Sequence, residues 1–352
     1  MKLYTMGPVQ MNAEVLEIGA KQLPYFRTEE FAVVNRRVCE NIKVLINADK
    51  EDETYLLTCS GSGAMEAAII NAFDDKDRLF ILNGGTFGQR FCDICTVHNI
   101  PFDEYKVAFE EEVTYESLEA AFDGSCNVMV VNMHETAIGK LYNMNIISDF
   151  CKNKGLYLVV DAISSFLADD IKFEEWQMDM AILSSQKGMA VPPGMAAVVC
   201  SKRIIDKIQT KKTKSLYFDF RNYKKNMERG QTPFTPAVGI VLQMDKILTD
   251  IRTQGVEKHI EKIRKRGEYF RERARKNGIL IPAYRLSNAL TPILLDGQAK
   301  KIYHRLVNEE GIYVTPSGGA YEDRLLRIGH LGCLELEDYD ILLNQIGAYM
   351  EK

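Results

Sequence analysis

Short blocks of apolar residues alternate with longer amphipathic blocks between Glu53 and Ser201. The apolar blocks are continuous, a pattern typical of strands buried on both faces. Strands separated by helices predict a mainly parallel α/β sheet. The apolar blocks are, in chain order, "TYLLTC", "RLFILNGG", "NVMVVNM", "LYLVVDA", "MAILSSQ" and "MAAVVCS". The first four are followed by the amphipathic blocks "GSGAMEAAIINAF", "FGQRFCDICTVHN", "NIISDFCKNKG" and "FEEWQ".

The pattern changes after this region. Apolar residues recur at three- and four-residue spacing in "VLQMDKILTDIRTQGVEKHIEKIRKRGEYFRERARKNG", which predicts a long pair of connecting helices. The segments "ALTPILLD", "AKKIYHRLVNEEGI" and "RLLRIGHLG" indicate a small α+β domain. We therefore divide the chain into an N-terminal segment (1–20) that contributes to the active site, a large domain (21–245), and a small C-terminal domain with its linking helix (246–352).

Composition narrows the class of ligand. The 352 residues are 46% hydrophobic and 26% charged, as in ordinary globular proteins, and the net charge is −5. This charge gives no electrostatic support for a nucleic-acid or anionic-membrane partner, and we expect the basic segment "KKTKSLYFDFRNYKKNMERG" to be a solvated face or loop. No apolar run reaches the roughly 20 residues of a membrane span, and "MKLYTMGPVQ" lacks a signal-peptide core. We expect a cytoplasmic protein that acts on small molecules.

The eight cysteines are irregularly spaced, so we expect free thiols rather than a disulfide framework. Cys92 and Cys95 form a C-x-x-C pair, but they lie in a helical pattern without a second pair at zinc-ribbon spacing. We therefore expect no metal site.

Lys187 stands alone between two predicted strands, in "AILSSQKGMAVPPGMAAVVCS". Removal of an ammonium group from water disfavours its charge. A lysine held at such a joint is therefore a candidate Schiff-base former.

A second candidate element is the turn in "TCSGSGAMEAAII", where a strand ends and a helix begins at about Gly63. Glycines allow backbone N–H groups to approach an anion, and the helix N-terminus favours negative charge, so this turn predicts a phosphate site. A dinucleotide fingerprint does not fit, because Glu66 replaces the third glycine and Asn83 stands where an acid is needed. A Walker loop does not fit either, since no Gly-Lys-Ser/Thr follows.

Other polar residues lie at predicted strand ends, where open α/β sheets bind ligands. Asp161 either caps the following turn or pairs with a cationic ring nitrogen. His134, Glu135 and Thr136 predict hydrogen-bonding groups that line a pocket, because H-E-x-x-H is absent. Arg327, in "LLRIGHLG", matches a carboxylate with its planar fork or forms an internal salt bridge to "ELEDYD".

Several motifs occur together in a familiar order. The chain contains "SGSGAMEA", "NGGTFGQR", "HETAIG", "VVDAISSF", "SSQKG", "GQTPFTPAV" and "RIGHLG". It resembles the class V aminotransferases of the fold-type-I pyridoxal-phosphate enzymes, especially the alanine–glyoxylate, serine–pyruvate and 2-aminoethylphosphonate–pyruvate group. The resemblance extends from "YTMGPVQM" to Arg327. It implies a large domain with a mainly parallel seven-stranded sheet sandwiched by helices, and a small C-terminal α+β domain.

The resemblance also implies residue roles around pyridoxal 5'-phosphate. Lys187 would hold the cofactor covalently and then shuttle a proton, and Asp161 would pair with the pyridine nitrogen. Arg327 would bind the substrate carboxylate, helped by Gly7 and Pro8. The further cofactor contacts would be Ser62, Gly63, Ala64 and Gln186 at the phosphate, Phe87 on the ring, Thr136 near the phenolic oxygen, and Thr235 at the phosphate of the neighbouring subunit. A homodimer with shared active sites follows from this last contact.

The implied activity is transfer of an amino group from a small donor (alanine, serine or 2-aminoethylphosphonate) to pyruvate or glyoxylate by a ping-pong mechanism. One alternative is a pyridoxal-phosphate lyase or cysteine desulfurase, which needs a mobile cysteine in the small domain, where only Cys333 lies. Another is a non-catalytic homologue, which retention of Lys187 and Asp161 argues against.

The segment before the second predicted domain bears on the donor. Its "ME-x-x-GQ-x-x-FTP" pattern resembles the 2-aminoethylphosphonate branch, but Pro233 stands where that branch carries an arginine. Loss of a guanidinium weakens recognition of a phosphonate dianion. Arg229 or Arg221 would have to substitute, so alanine and serine remain equal alternatives.

Overall fold

The computed structural model describes residues 1–350. Its strands are β1 (Lys2–Leu3), β2 (Glu53–Leu57), β3 (Leu79–Asn83), β4 (Phe102–Lys106), β5 (Val128–Asn132), β6 (His134–Glu135), β7 (Lys140–Leu141), β8 (Tyr157–Asp161), β9 (Met180–Ser184), β10 (Ala196–Cys200), β11 (Leu290–Leu294), β12 (Ile312–Tyr313), β13 (Thr315–Pro316) and β14 (Leu325–Gly329). Its α-helices are α1 (Ala13–Gly19), α2 (Glu29–Leu45), α3 (Gly61–Ala72), α4 (Thr86–His98), α5 (Tyr115–Ala121), α6 (Met144–Lys154), α7 (Lys202–Thr210), α8 (Phe220–Met227), α9 (Val238–Gln254), α10 (Val256–Lys276), α11 (Ala299–Glu310) and α12 (Leu336–Met350). A 3₁₀ turn spans Gly319–Tyr321.

Seven strands form the central sheet in the order β2-β10-β9-β8-β5-β3-β4. Strand β10 is antiparallel to both of its neighbours, and the pairs from β9 to β4 are parallel. The carboxyl ends of β2, β3, β5, β8 and β9 therefore meet at one edge of the sheet. This arrangement confirms the predicted mainly parallel, seven-stranded sheet.

Burial on both faces explains the continuous apolar strands. In β5, Val128 and Val130 pack into the core under α3 and α4. Met129 and Val131 point the other way, into the core under α2, α6 and α9. Strand β4 lies at the sheet edge and is only partly buried, so its sequence "FDEYK" keeps charged residues.

The C-terminal part has its own core. Strands β11, β14 and β13 form an antiparallel sheet, and α10, α11 and α12 pack against it through residues such as Phe270, Ile302 and Leu342. The predicted connecting helices are α9 and α10, which break at Gly255, where φ is +92°. Near the N-terminus, β1 pairs in parallel with β12 of this part.

Three local predictions differ from the structure. The sequence pattern did not reveal β4, because its charges mask the strand. The segment "FEEWQ", read as amphipathic, forms turns, so no helix lies between β8 and β9 in the chain described here. Part of the predicted solvated segment is α8, whose Phe220 is fully buried and stacks on Tyr55 at 4.3 Å between ring centroids.

All eight cysteines are free thiols, as predicted, and Cys92 and Cys95 are buried on α4. Within residues 1–350, no helix combines the length and the apolar character needed to cross a bilayer.

Candidate active site

Lys187 lies in the turn that follows β9, at the carboxyl edge of the sheet. It is half-buried, and a Cβ atom on Gly7 would approach its Cδ atom to 3.0 Å. The N-terminal segment therefore passes directly against this lysine. Burial, together with the charges of Arg327 and Arg90, lowers the pKa of Lys187 to about 8. A much larger fraction of its amine is thus neutral near pH 7 than in an exposed lysine.

Asp161 ends the neighbouring strand β8 and is 6% exposed. One carboxylate oxygen accepts a hydrogen bond from the backbone N–H of Ile163 (2.8 Å), and the other accepts from the Asn132 amide (2.6 Å). Asn132 is the cross-strand partner of Asp161 in β5. Burial nevertheless raises the pKa of Asp161 to about 6. This carboxylate is therefore oriented but still lacks a full counter-charge.

The predicted phosphate cradle is the N-terminus of α3. The Ser60 side chain caps the helix by accepting from the Gly63 N–H (3.4 Å). Gly61 packs against Ile163, and a Cβ atom there would lie 2.6 Å from its Cδ1 atom, so a larger residue would displace that side chain. The Ser184 hydroxyl donates to the side-chain oxygen of Gln186. Ser62, Gly63, Ala64 and Gln186 are thus gathered near the ends of β8 and β9.

A third loop carries Phe87 at the start of α4. The N-cap residue Gly85 provides no side-chain cap. Instead, the buried Glu135 carboxylate accepts hydrogen bonds from the N–H groups of Gly88 (3.3 Å) and Ala137 (3.1 Å). A Cβ atom on Gly85 would lie 2.8 Å from Glu135, so the close approach requires glycine. Glu135 therefore holds the Phe87 loop in place, and burial raises its pKa to about 7.

Arg327, on β14, is the residue of the C-terminal part that reaches the site. Its two terminal nitrogens donate to the backbone oxygens of Thr136 (2.9 Å) and Pro316 (2.6 Å). The Thr136 hydroxyl donates to Ser164 (2.7 Å). The Arg327 Nε atom is buried and has no hydrogen-bond partner among residues 1–350. The alternative that the sequence left open, a salt bridge to "ELEDYD", does not form within residues 1–350.

Arg327 lines a cavity of ≈ 430 Å³ between the two parts of the molecule. The other lining residues are uncharged, and they are Gly85, Thr86, Phe87, Ala137, Ile138, Gly318, Gly319, Ala320 and Tyr321. This cavity can therefore take a small anionic molecule, with one guanidinium to pair with it.

His134 is 3% exposed and close enough to Lys187 and Arg327 for their charges to lower its pKa, after burial, to about 3. The imidazole is thus neutral. Although the Ser164 backbone lies near enough to favour the protonated ring, neither ring nitrogen makes a well-formed hydrogen bond in the described chain. Buried polar atoms without a hydrogen-bond partner, such as these and the Arg327 Nε, are uncommon in folded proteins and are typical of functional sites.

Two predicted residues lie apart from this group. Thr235 is exposed in the loop between α8 and α9, and no hydrogen bond within residues 1–350 joins its side chain to the cradle. Cys333 is exposed and lines a different cavity, beside Gly188 and His259.

The family model for class-V aminotransferases matches residues 25–320, which is most of the chain. The chain belongs to the class-V aminotransferase family. Among curated relatives, it is 27% identical to a protein named soluble hydrogenase, small subunit, of Synechococcus sp., over 97% of this chain and 90% of the relative. It is 24% identical to an L-aspartate–glyoxylate aminotransferase of Paracoccus denitrificans, over 94% of this chain and 86% of the relative.

Solved structures agree on the fold of this aminotransferase. An alanine–glyoxylate aminotransferase from Nostoc sp. superimposes with a TM-score of 0.92 at 24% identity, covering 99% of this chain and 94% of that one. A pyridoxamine–pyruvate aminotransferase from Mesorhizobium loti gives a TM-score of 0.92 at 21% identity, covering 100% and 92%. The fold-type-I prediction is confirmed.

Class-V aminotransferases are pyridoxal-phosphate enzymes, so pyridoxal 5'-phosphate is the cofactor of this chain. The residues present fit it. Lys187 offers an amine of lowered pKa, and Asp161 offers a carboxylate that two hydrogen bonds orient and whose pKa burial raises. The α3 N-terminus offers backbone N–H groups to a phosphate.

Sequence reasoning left three residues without an assigned task. Arg90 belongs to the "NGGTFGQR" motif, and its side chain donates a hydrogen bond to Ser62 (2.9 Å). Asn132 orients Asp161, and its position at the end of an apolar block was the available signal. For Glu135, the sequence predicts only a group that lines a pocket. Its hydrogen bond to Gly88 joins residues 47 positions apart, so no local pattern reveals it.

Proposed function

We propose that this aminotransferase moves an amino group from a small donor to pyruvate or glyoxylate in two half-reactions that share one site. The proposal rests on the cavity that Arg327 and the Phe87 loop both line. The size of this cavity and the single charge in its lining suit a small monocarboxylate. The glyoxylate and pyruvate aminotransferases among its relatives support the same acceptors.

The proposed roles follow from the contacts. Bound pyridoxal phosphate supplies an aldehyde for the amino group and a ring that withdraws electrons. Lys187 holds it covalently and, once displaced by the donor, carries a proton between the donor Cα and the cofactor as general base and acid. Asp161, held by Asn132 and Ile163, favours the protonated pyridine nitrogen. Arg327 binds the donor carboxylate beside Gly7, which contacts Lys187.

The remaining cofactor contacts that we propose are those that the resemblance implies. Ser62, Gly63, Ala64 and Gln186 hold the phosphate, Phe87 stacks on the ring, and Thr136 lies near the phenolic oxygen. Pro8 continues the Gly7 segment on the substrate side. These roles are supported by the grouping of the cradle and the Phe87 loop at one sheet edge.

The cavity lining favours alanine or serine as donor. Aspartate would bring a second carboxylate, and 2-aminoethylphosphonate would bring a dianion, whereas Arg327 is the only charged residue in the lining described. Of the cations that could replace the arginine missing at Pro233, Arg221 is paired with Asp219 and Arg229 is hydrogen-bonded to Asn226. Neither lines this cavity.

We further propose that the active enzyme is a homodimer in which Thr235 reaches the partner's phosphate. Its loop continues into an exposed apolar surface, since Phe234 stacks on Tyr217 (4.9 Å) and neighbouring Leu216 is 83% exposed. An exposed apolar surface of this kind marks an interface. Light scattering should give twice the chain mass, and Leu216→Asp should shift the protein towards monomers with weaker cofactor binding.

The half-reaction tests the activity. The cofactor-loaded protein is mixed separately with L-alanine, L-serine, L-aspartate or 2-aminoethylphosphonate, and the visible cofactor band is followed. We expect alanine or serine to bleach the band and the pyridoxamine form to grow, with recovery on addition of glyoxylate or pyruvate. Bleaching only by 2-aminoethylphosphonate would overturn the donor assignment. Elimination products from cysteine without transamination would overturn the reaction.

A further inference from the structure

Arg90 lies on α4, one turn after Phe87, so the two side chains share a helix face. Its guanidinium carbon lies 4.9 Å from the centroid of the Phe87 ring, in cation–π contact. One terminal nitrogen donates to the Ser62 hydroxyl at 2.9 Å. A single guanidinium thus touches both the loop of the phosphate cradle and the aromatic ring beside it.

The residues assigned to the phosphate do not balance its negative charge, and Arg90 is a cation beside them. The side chains assigned to the phosphate carry no charge, and they are those of Ser62, Gln186 and Thr235, with Gly63 and Ala64 offering backbone only. A phosphate monoester carries a charge of about −1.5 to −2 near pH 7, while a helix N-terminus supplies roughly +0.5. The cradle therefore needs a side-chain cation, and Arg90 is the cation already bound to it.

Arg90 also lacks the carboxylate partner that half of the arginines have. Arg78, Arg273 and Arg305 each pair with a carboxylate, whereas no carboxylate lies within ion-pair distance of Arg90 in residues 1–350. A guanidinium placed against a hydroxyl and an aromatic face, with its charge unpaired, matches a planar recognition site for an anion.

We propose that Arg90 is a cofactor-binding residue, whose guanidinium pairs with the phosphate at Ser62 and holds Phe87 beside the ring. This inference rests on the proposed cofactor site and adds a phosphate-specific contact to it. The charge of Arg90 also lowers the pKa of both Lys187 and Asp161, which places it near the two residues that would hold the cofactor.

The test compares two ligands that differ only in the phosphate. Cofactor-free wild type and Arg90→Gln are titrated with pyridoxal phosphate and with pyridoxal, and binding is read from absorbance. We expect Arg90→Gln to weaken pyridoxal phosphate binding on the order of 10- to 100-fold, since a hydrogen bond to a charged group is lost. Pyridoxal binding should weaken much less, because pyridoxal has no phosphate to pair with the guanidinium and is affected only through Phe87 and Lys187.

Arg305→Gln is the matched control, because Arg305 also stacks on an aromatic ring, that of Tyr349 (3.8 Å), from a helix outside the site. It should leave both affinities unchanged. Arg90→Lys keeps the charge but loses the fork and should lie between wild type and Arg90→Gln. The pH dependence of the loading rate supplies a second readout, since the pKa of Lys187 should rise in Arg90→Gln and move the profile to higher pH.

The results distinguish an incorrect role for Arg90 from an incorrect cofactor site. Equal affinities of wild type and Arg90→Gln for pyridoxal phosphate, or equal losses for both ligands, would overturn the role of Arg90. Failure of wild type to bind either ligand would instead overturn the proposed cofactor site. If Arg90→Gln does not fold, Arg90→Met, which keeps the aliphatic stem against Phe87, gives the same two-ligand comparison.

Discussion

The site has two halves that differ in how completely their polar atoms are paired. On the cofactor half, built by the carboxyl ends of the central strands, both Asp161 oxygens accept hydrogen bonds and the α3 N-terminus is capped by Ser60. On the substrate half, the buried Arg327 Nε lacks a partner in the chain described, as do the Asn132 Oδ1 and the His134 ring nitrogens at and just after the end of β5. The Asp161 carboxylate is thus held through both oxygens, whereas the Arg327 guanidinium keeps one donor unpaired.

The two halves also differ in the sequence distance that builds them. The cofactor half uses loops that each follow a single strand of one sheet. The substrate half joins the N-terminal segment at Gly7, the Phe87 loop and β14 with its Gly319–Tyr321 neighbour. Small relative movements therefore change the substrate half more than the cofactor half. Mutations should separate the two halves accordingly.

The largest effect is expected from Lys187→Ala, which removes the amine that carries both covalent binding and proton transfer. Loss of a general acid–base group lowers kcat by about 10²- to 10⁴-fold. Borohydride reduction followed by peptide mass analysis should find the cofactor on Lys187 in wild type and on no peptide in the variant. Lys172→Ala, which removes an exposed lysine paired with Glu175, should behave as wild type. Labelling of another lysine in wild type would contradict the assignment.

The pH dependence of cofactor capture sharpens the same assignment. Because only a neutral amine attacks an aldehyde, and burial lowers the pKa of Lys187 to about 8, the rate of cofactor loading should rise up to about pH 8 and then level. A rate that still climbs towards pH 10 would indicate an exposed lysine with an ordinary pKa.

Asp161→Asn should have the next largest effect, a loss of about 10²- to 10³-fold in kcat, because a fixed charge facing the reacting system is removed. Asp169→Asn is the matched control. Burial raises the pKa of both carboxyl groups to about 6, but Asp169 binds Ser287 (2.5 Å) and the N–H of Asn288 (2.9 Å). Its loss should lower thermal stability while cofactor affinity holds. Similar kinetics in the two variants would remove Asp161 from the site.

The raised pKa of Asp161 also predicts how the stability of wild type and of Asp161→Asn changes with pH. In the cofactor-free protein, the folded state holds the Asp161 proton more tightly than the unfolded chain, so its stabilising contribution is lost as pH rises from about 4 to about 6. A pyridinium beside the carboxylate lowers that pKa again. The melting-temperature gain on adding cofactor should therefore grow across this pH window in wild type, and less in Asp161→Asn.

The contrast between the halves also explains what sequence could reveal. Lys187 and Asp161 follow continuous apolar strands, so local pattern located them at the sheet edge. The apolar pattern did not predict strand β4, because an edge strand tolerates charged residues. The tasks of Arg90 and Glu135 depend on partners 28 and 47 positions away, Ser62 and Gly88, and no local pattern encodes such contacts.

On the substrate half, Arg327→Ala should raise KM for a carboxylate donor about 10- to 100-fold, the cost of a charged hydrogen-bonded contact. Cofactor affinity should change by less than about twofold. Arg327→Lys keeps the charge but not the two bonds to Thr136 and Pro316, so it should recover only part of the loss. Unchanged kinetics in Arg327→Ala would remove this residue from the substrate site.

The smallest effect concerns the wall of the cavity. Tyr321 lines it and contacts Phe109, which follows β4, with 4.9 Å between ring centroids. An aromatic pair of this kind contributes about 0.5–1.5 kcal/mol, so Tyr321→Ala should raise KM for alanine by about two- to twelvefold and relatively favour donors with larger side chains. Phe109→Ala should mimic the KM change, and the double variant should add little to either. Additive losses would show that Tyr321 acts on the substrate directly rather than through its contact across the two halves.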